Sequence, residues 1–116
     1  TNEGAGWHAI ATIAKAAHNP VALVELKDGR LAAIYGSRET NTKGMYAVLS
    51  SDRGKSWSSP IALREDAQTW DFGYPRAFLR PDNVVVVIYY YATKSNPRQH
   101  IAATLWTPPD IIEKGQ

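Results

Sequence analysis

Chemistry in this sequence centres on one polar and aromatic segment, Trp70-Asp71-Phe72-Gly73-Tyr74-Pro75-Arg76. Tyr74 and Arg76 are two positions apart, so an extended strand carries both side chains on one face. A guanidinium is a planar fork that grips a carboxylate through two parallel hydrogen bonds, which makes Arg76 a candidate for holding an anion. Arg38, just past the apolar run that ends at Tyr35, is a second candidate. The competing role for both arginines is a structural ion pair; for Tyr74 it is a core position with its hydroxyl on a backbone group. Trp70 suits a site rim, and Asp71 suits a turn better than a rim. A second stretch, Ser50-Ser51-Asp52-Arg53-Gly54-Lys55-Ser56-Trp57, has the form Ser-x-Asp-x-Gly-x-Ser-Trp. Its residue types fit a tight turn rather than a reaction. Asp52 can accept hydrogen bonds from N–H groups of its own turn, and Gly54 can take a positive φ. Ser50 and Ser56 can bond locally, and Trp57 can tuck its ring between neighbouring sheets.

Other chemistries lack their residues. His8, His18 and His100 have no metal-ligand spacing between them, and the chain has no cysteine, so no metal site and no disulfide is expected. Ser50-Ser51 sits in no nucleophile-elbow context, and no glycine loop for phosphate occurs, so no cofactor is expected either. The 116 residues are 44% hydrophobic and 21% charged, the balance of a globular domain and not of a disordered chain. A formal charge of +2 is too small a footprint for nucleic acid. The longest apolar run, Val84 to Tyr91, falls far short of the ~20 residues of a membrane helix, so neither nucleic acid nor membrane is an expected partner. The sequence opens at Thr1 without a basic-then-apolar leader and reads as a processed or partial chain.

The elements that must position these residues are strands. Val21 to Leu26 and Leu31 to Tyr35 flank Asp28-Gly29, a strong hairpin signal. Met45 to Leu49, Ile61 to Leu63 and Tyr74 to Leu79 follow. Val84 to Tyr91 is next, and its β-branched and aromatic composition favours a strand buried on both faces. His100 to Trp106 is the last, and Pro108 to Gln116 reads as a tail with little to bury. His8 to His18 is alanine-rich and has helix propensity, yet Ile10, Thr12 and Ala14 alternate as in a strand.

An internal repeat tips that first segment to strand. Asn2-Glu3-Gly4-Ala5-Gly6-Trp7 matches Asp52 to Trp57 as Asp/Asn-x-Gly-x-x-Trp, and each tryptophan precedes an Ile-Ala pair. Pro20 to Tyr35 also matches Pro75 to Tyr89: Ala22 with Ala77, Leu23 with Phe78, Asp28-Gly29 with Asp82-Asn83, and Ile34-Tyr35 with Ile88-Tyr89. Both offsets lie near the ~40–50-residue period of four-stranded propeller blades. The chain then divides into an outer strand of a preceding or completing blade (1–18), a complete four-stranded blade with the Ser50–Trp57 turn (19–66), a three-stranded final blade (67–108) and a tail (109–116). Two blades leave an apolar flank and a strand edge uncovered. Further blades must come from a longer parent chain or from identical chains; three chains of two blades make six.

The stretches Asn19-Pro20-Val21-Ala22-Leu23-Val24, Lys27-Asp28-Gly29-Arg30-Leu31, Tyr35-Gly36-Ser37-Arg38, the Ser50–Trp57 turn, Trp70 to Arg76 and Ile101-Ala102-Ala103-Thr104-Leu105-Trp106 together resemble the last two blades of the sialidase (neuraminidase) superfamily. The Ser50–Trp57 turn is similar to the Asp box, or bacterial neuraminidase repeat, of those propellers. The resemblance implies an all-β, six-bladed propeller with its site at the mouth opposite the Asp boxes. It implies Tyr74 as catalytic nucleophile, Arg38 and Arg76 as substrate-binding residues, and Ser50, Asp52, Gly54 and Trp57 as structural. A phenol suits that role because a carboxylate nucleophile would repel an anionic sugar. The implied ligand is a glycan or anionic sugar, and the implied location secreted or periplasmic. The pattern breaks at Tyr46, where the family carries an arginine; nearby Lys43 cannot copy the fork. The acid/base residues would belong to earlier blades, and Glu25, Glu39 and Glu65 have no motif tying them to Tyr74. Two functions follow: a portion of a sialidase-like glycoside hydrolase, or a non-catalytic carbohydrate-binding two-blade module that assembles its ring by oligomerisation. A purely structural fragment is the third reading.

Overall fold

The computed structural model describes residues 6–14, 20–39 and 43–110. They form seven strands and no helix: β1 (Ala22–Glu25), β2 (Leu31–Ser37), β3 (Gly44–Ser50), β4 (Ile61–Arg64), β5 (Gly73–Leu79), β6 (Val85–Tyr91) and β7 (His100–Trp106). All pairings are antiparallel, giving a four-stranded sheet in the order β1-β2-β3-β4 and a three-stranded sheet in the order β5-β6-β7. The chain is therefore all-β, as its composition and turn signals require.

Two equivalent hairpins organise the sheets. In the first, the Leu26 N–H donates to the Arg30 carbonyl at 2.8 Å, and the Gly29 N–H to the Leu26 carbonyl at 3.0 Å. Gly29 sits at φ 90°, a conformation that costs glycine nothing. In the second, the Arg80 N–H donates to the Val84 carbonyl (2.8 Å) and the Asn83 N–H to the Arg80 carbonyl (3.0 Å), with Asn83 at φ 67° in the place of Gly29. Asparagine tolerates that region better than most side chains. Asp28 and Asp82 each accept the N–H two residues on, from Arg30 and Val84. Loop upon loop, this matching pairs Leu23 with Ala77 and Val24 with Phe78. It moves the sequence match of Leu23 to Phe78 by one residue. In a strand, one residue exchanges the two faces.

The sheets stack through one apolar layer. Val24, Ala32, Ile34, Met45 and Ala47 of the first sheet meet Val85, Val87, Tyr89 and Tyr91 of the second, with Phe72 between them. Contrary to the expectation for β6, only this odd-numbered face is fully buried. On its other face Ile88 is 40% exposed, because no layer of the described residues covers it. The opposite side of the first sheet carries Ala33, Tyr35, Tyr46 and Val48, packed by Ile13, Ala14 and Trp57.

Two segments lie outside the sheets. Trp7 to Ala14 joins neither sheet; it lies on the first sheet through Ile13 and Ala14, while Trp7 and Ile10 stay exposed. The repeat at Asn2 to Ala5 lies outside the described residues. The start of the C-terminal tail is also held: Pro108 is buried, and the Pro109 carbonyl accepts the buried Arg30 guanidinium at 2.8 Å.

The Ser50–Trp57 turn joins β3 to β4. The Gly54 N–H donates to Ser50 Oγ (2.8 Å), whose own hydroxyl donates to Asp52 Oδ1 (2.8 Å). Asp52 also accepts the Ser56 N–H at 2.9 Å and the Ser56 hydroxyl at 2.5 Å. Trp57 Nε1 closes the turn on the Gly54 carbonyl (3.1 Å), with Arg53 at φ 61° and Gly54 at φ 89°. The Ser56 and Ser50 hydrogen bonds hold the Asp52 carboxyl down to about 2. A lowered folded-state pKa contributes stability that is present above the unfolded value of about 3.9 and lost as pH falls toward the folded one. The stability difference between wild type and Asp52→Asn, followed by urea unfolding, should therefore shrink as the pH is lowered from about 5 to about 2. A constant difference would assign the acid sensitivity to Asp28, Asp66 and Asp82, which are also lowered.

Candidate functional site

Antiparallel pairing puts the ends of β2, β4 and β6 and the starts of β3, β5 and β7 at one end of the sheets, opposite the Ser50–Trp57 turn. Arg38 leaves β2 at this end and reaches across to the second sheet, donating from an Nη to the Phe72 carbonyl at 3.1 Å. Its guanidinium carbon lies 5.7 Å from the Trp70 ring and 5.9 Å from the Tyr74 ring, within cation–π range of both. Arg38 Nε is buried and has no hydrogen-bond partner among the described residues. Trp70 and Tyr74 are 63% and 55% exposed. A cation thus stands within cation–π reach of two exposed aromatic rings.

Tyr74 is aimed by a backbone irregularity. Gly73 pairs with Tyr90 and Arg76 with Ile88, so β5 carries one extra residue between them, a β-bulge. Gly73 takes φ 114° and Tyr74 φ 51°, a region aromatic residues rarely occupy. Burial still alternates through the bulge, with Tyr74 and Arg76 exposed and Pro75 buried between them, and the register sets Arg76 opposite Ile88. Both side chains are exposed, but Arg76 donates to its neighbour, the Pro75 carbonyl at 3.5 Å, and not to the Arg38 cluster. The site brings Arg38, Trp70 and Tyr74 together and leaves Arg76 on its margin.

Two tyrosine–carboxylate pairs flank the cluster, and neither was legible in sequence. The Tyr90 hydroxyl donates to Asp71 Oδ1 at 2.5 Å, and its ring lies 6.0 Å from that of Tyr74. Burial and this bond push the Tyr90 hydroxyl up to about 12. The Tyr46 hydroxyl donates to Glu65 Oε2 at 2.7 Å, and its ring stacks on Tyr35 at 6.2 Å. Burial, then Glu65, push it up to about 12 as well. Tyr46 pairs with Ala62 across the strands while Met45 pairs with Arg64, and the Tyr46 side chain reaches Glu65 just past the end of β4, a contact no spacing rule anticipates. Asp71 is thus a hydrogen-bond acceptor at the rim, beyond the turn role expected of it. Both phenols are held neutral as donors to carboxylates.

Other chemistry is placed elsewhere or occupied. Arg64 pairs with both oxygens of Asp66 (2.7 and 2.8 Å) and lies 4.0 Å over the Tyr91 ring. A groove of about 360 Å3 lies at the far end, lined by Arg30, Leu49, Ser51, Ser58, Ile61 and Pro109. Its buried cation, Arg30, is already bonded to Asp28 and the Pro109 carbonyl. Among the described residues no cluster of three or more His, Cys, Asp or Glu could hold a metal ion, and no helix is long and apolar enough to cross a membrane. His18 lies outside the described residues.

Fold and site define a class: two stacked antiparallel sheets with an arginine–aromatic cluster where their ends meet. No family model matches this chain, and no curated protein does. Among solved structures it is similar to a crystal structure of a protein of unknown function from Dyadobacter fermentans DSM 18053, at 33% identity and a TM-score of 0.64. The match covers 76% of this chain and 24% of that one, so the chain spans about a quarter of the length of the protein it resembles.

Proposed function

We propose that the two sheets are neighbouring blades of a sialidase-like β-propeller and that Arg38, Trp70 and Tyr74 bind an anionic glycan. The observation that carries this reading is the Arg38 guanidinium, with one buried nitrogen unpaired and two exposed aromatic rings within cation–π reach. A carboxylate satisfies the cation, and the C–H face of a sugar ring packs on the indole and phenol, so a carboxylated sugar uses both features. Arg76, at the margin, adds positive charge to the same mouth.

Binding without hydrolysis is the second reading, and one observation favours it. A phenol nucleophile needs a base, yet two carboxylates at this end are already engaged: Asp71 with Tyr90 and Glu65 with Tyr46. In this reading Tyr74 is a stacking platform, and residues from further blades would be needed for turnover.

Calorimetric titration with N-acetylneuraminate and with its neutral methyl ester tests the proposal. A hydrogen bond to a charged group is worth about 1.5–3 kcal/mol net, so Arg38→Ala should weaken binding of the acid roughly tenfold to a hundredfold. The ester should bind as weakly to wild type as the acid does to the variant. Equal affinity for acid and ester would remove the anion from the reading. Loss of fluorogenic sialoside turnover in Tyr74→Phe would restore the catalytic role; turnover unchanged by it would take Tyr74 out of the chemistry.

A further inference from the structure

Arg38 carries no carboxylate although one stands beside it. Elsewhere Arg30, Arg64 and Arg80 are each closed by an aspartate two residues away, Asp28, Asp66 and Asp82. Among the described residues Arg38 has no such partner: it donates to the Phe72 carbonyl, faces the Trp70 and Tyr74 rings and keeps its Nε unpaired. Asp71 is the residue between Trp70 and Phe72, both of which Arg38 touches, and consecutive Cα atoms are only about 3.8 Å apart. Opposite charges so near attract, so a competing bond must keep this pair open.

That bond comes from Tyr90. Its hydroxyl donates to Asp71 Oδ1 at 2.5 Å, the length of a charge-assisted bond to an ionised acceptor. The Asp71 backbone is fixed as well: its N–H donates to Thr69 Oγ1 at 3.1 Å, and its carbonyl accepts Gln99 Nε2 at 3.4 Å. Burial, then Asp71, push the Tyr90 hydroxyl up to about 12, so it stays a donor at neutral pH, while the Arg38 charge is near enough to pull it the other way. The Tyr90 ring lies 6.0 Å from that of Tyr74, which places the residue that holds Asp71 within the same cluster.

We infer that Tyr90 is a positioning residue: its hydroxyl holds Asp71 away from Arg38 and so reserves the guanidinium for a ligand carboxylate. Without that hydroxyl Asp71 turns to Arg38, as Asp66 does to Arg64, and the ligand must first displace a carboxylate of the chain itself. Binding then falls with the fraction of molecules in which Arg38 is left free; with one in ten free, the loss is about tenfold. The inference rests on the anionic-ligand reading of Arg38 and adds what keeps that cation open.

Calorimetric titration of the full chain with N-acetylneuraminate gives the test, since Tyr90→Phe keeps the ring and removes only the hydroxyl. Tyr90→Phe should bind about tenfold more weakly than wild type. Tyr90→Phe combined with Asp71→Asn should regain wild-type affinity or better, because an amide has no charge with which to compete for Arg38. Asp71→Asn alone should bind about twofold more tightly, through the loss of one like charge beside the ligand. Wild-type affinity in Tyr90→Phe overturns the inference, as does a loss that Asp71→Asn fails to rescue. Weaker binding in Asp71→Asn alone also overturns it, by making Asp71 a direct contact of the sugar. A second measurement needs no ligand. The shifts in urea midpoint caused by Arg38→Ala and Asp71→Asn should add when Tyr90 is present and fail to add in the Tyr90→Phe background, where the two charges meet. Additive shifts in both backgrounds overturn the inference whatever the sugar does. A wild type that ignores the sugar but shows the background-dependent coupling sinks the glycan reading and spares the role of Tyr90.

Discussion

Replacing Tyr91 by alanine is expected to destabilise the chain by about 3–5 kcal/mol, the range for removing a buried aromatic ring, whereas Tyr91→Phe should be close to neutral. The Tyr91 ring is fully buried at the end of β6, edge-on to Phe72 at 5.2 Å and to Tyr89 at 5.5 Å, with the Arg64 guanidinium over its face. Truncation leaves a cavity between the sheets and strips Arg64 of its stacking surface. The buried hydroxyl lies toward the Asp66 carboxylate but makes no hydrogen bond of good geometry with it, so phenylalanine gives up little polar interaction and keeps the packing. Urea unfolding of the two variants measures the contrast. A Tyr91→Phe loss as large as that of Tyr91→Ala would mean that the hydroxyl, and not the ring, holds this corner.

The second large effect is expected at Gly44. A Cβ there would collide with the Arg64 carbonyl and lie 2.8 Å from the Glu65 Cα. The obstacle is backbone, which cannot turn aside as a side chain can. Gly44→Ala must push β4 away from β3 and should cost about 3 kcal/mol, the upper part of the range for overpacking. It should also separate Tyr46 from Glu65, returning the Tyr46 hydroxyl toward its ordinary titration range in a spectrophotometric pH titration. Gly29→Ala is the control: its Cβ meets nothing within 4 Å, so the cost is only that of a positive φ, about 1–2 kcal/mol. Equal losses at the two glycines would show that β3 and β4 are less closely set at this point.

The strands were readable because their signals are local. Leu31 to Tyr35 and Val84 to Tyr91 are apolar runs bounded by turn residues, and Asp28-Gly29 and Asp82-Asn83 carry the hairpin chemistry in adjacent positions. Seven of the eight expected strand segments match β1 to β7, with ends differing by a residue or two. Burial was less readable, since a run such as Val84 to Tyr91 looks the same whether one face or two are covered. Trp7 to Ala14 shows the same limit from the other side: alternation permits a strand, but only a partner edge makes one.

By itself the sequence determined the all-β character, the two matching hairpins and the polar turn around Asp52, because each depends on φ preferences and hydrogen bonds within a few residues. Tertiary structure alone decided that Arg38 lies between Trp70 and Tyr74 while Arg76 stands aside. It also decided that Asp71 and Glu65 are taken up by Tyr90 and Tyr46, and that one apolar sheet face stays open. Those outcomes depend on how two sheets stack and on where a single extra residue shifts a strand's register. Contacts made across tens of residues leave no periodic trace along the chain.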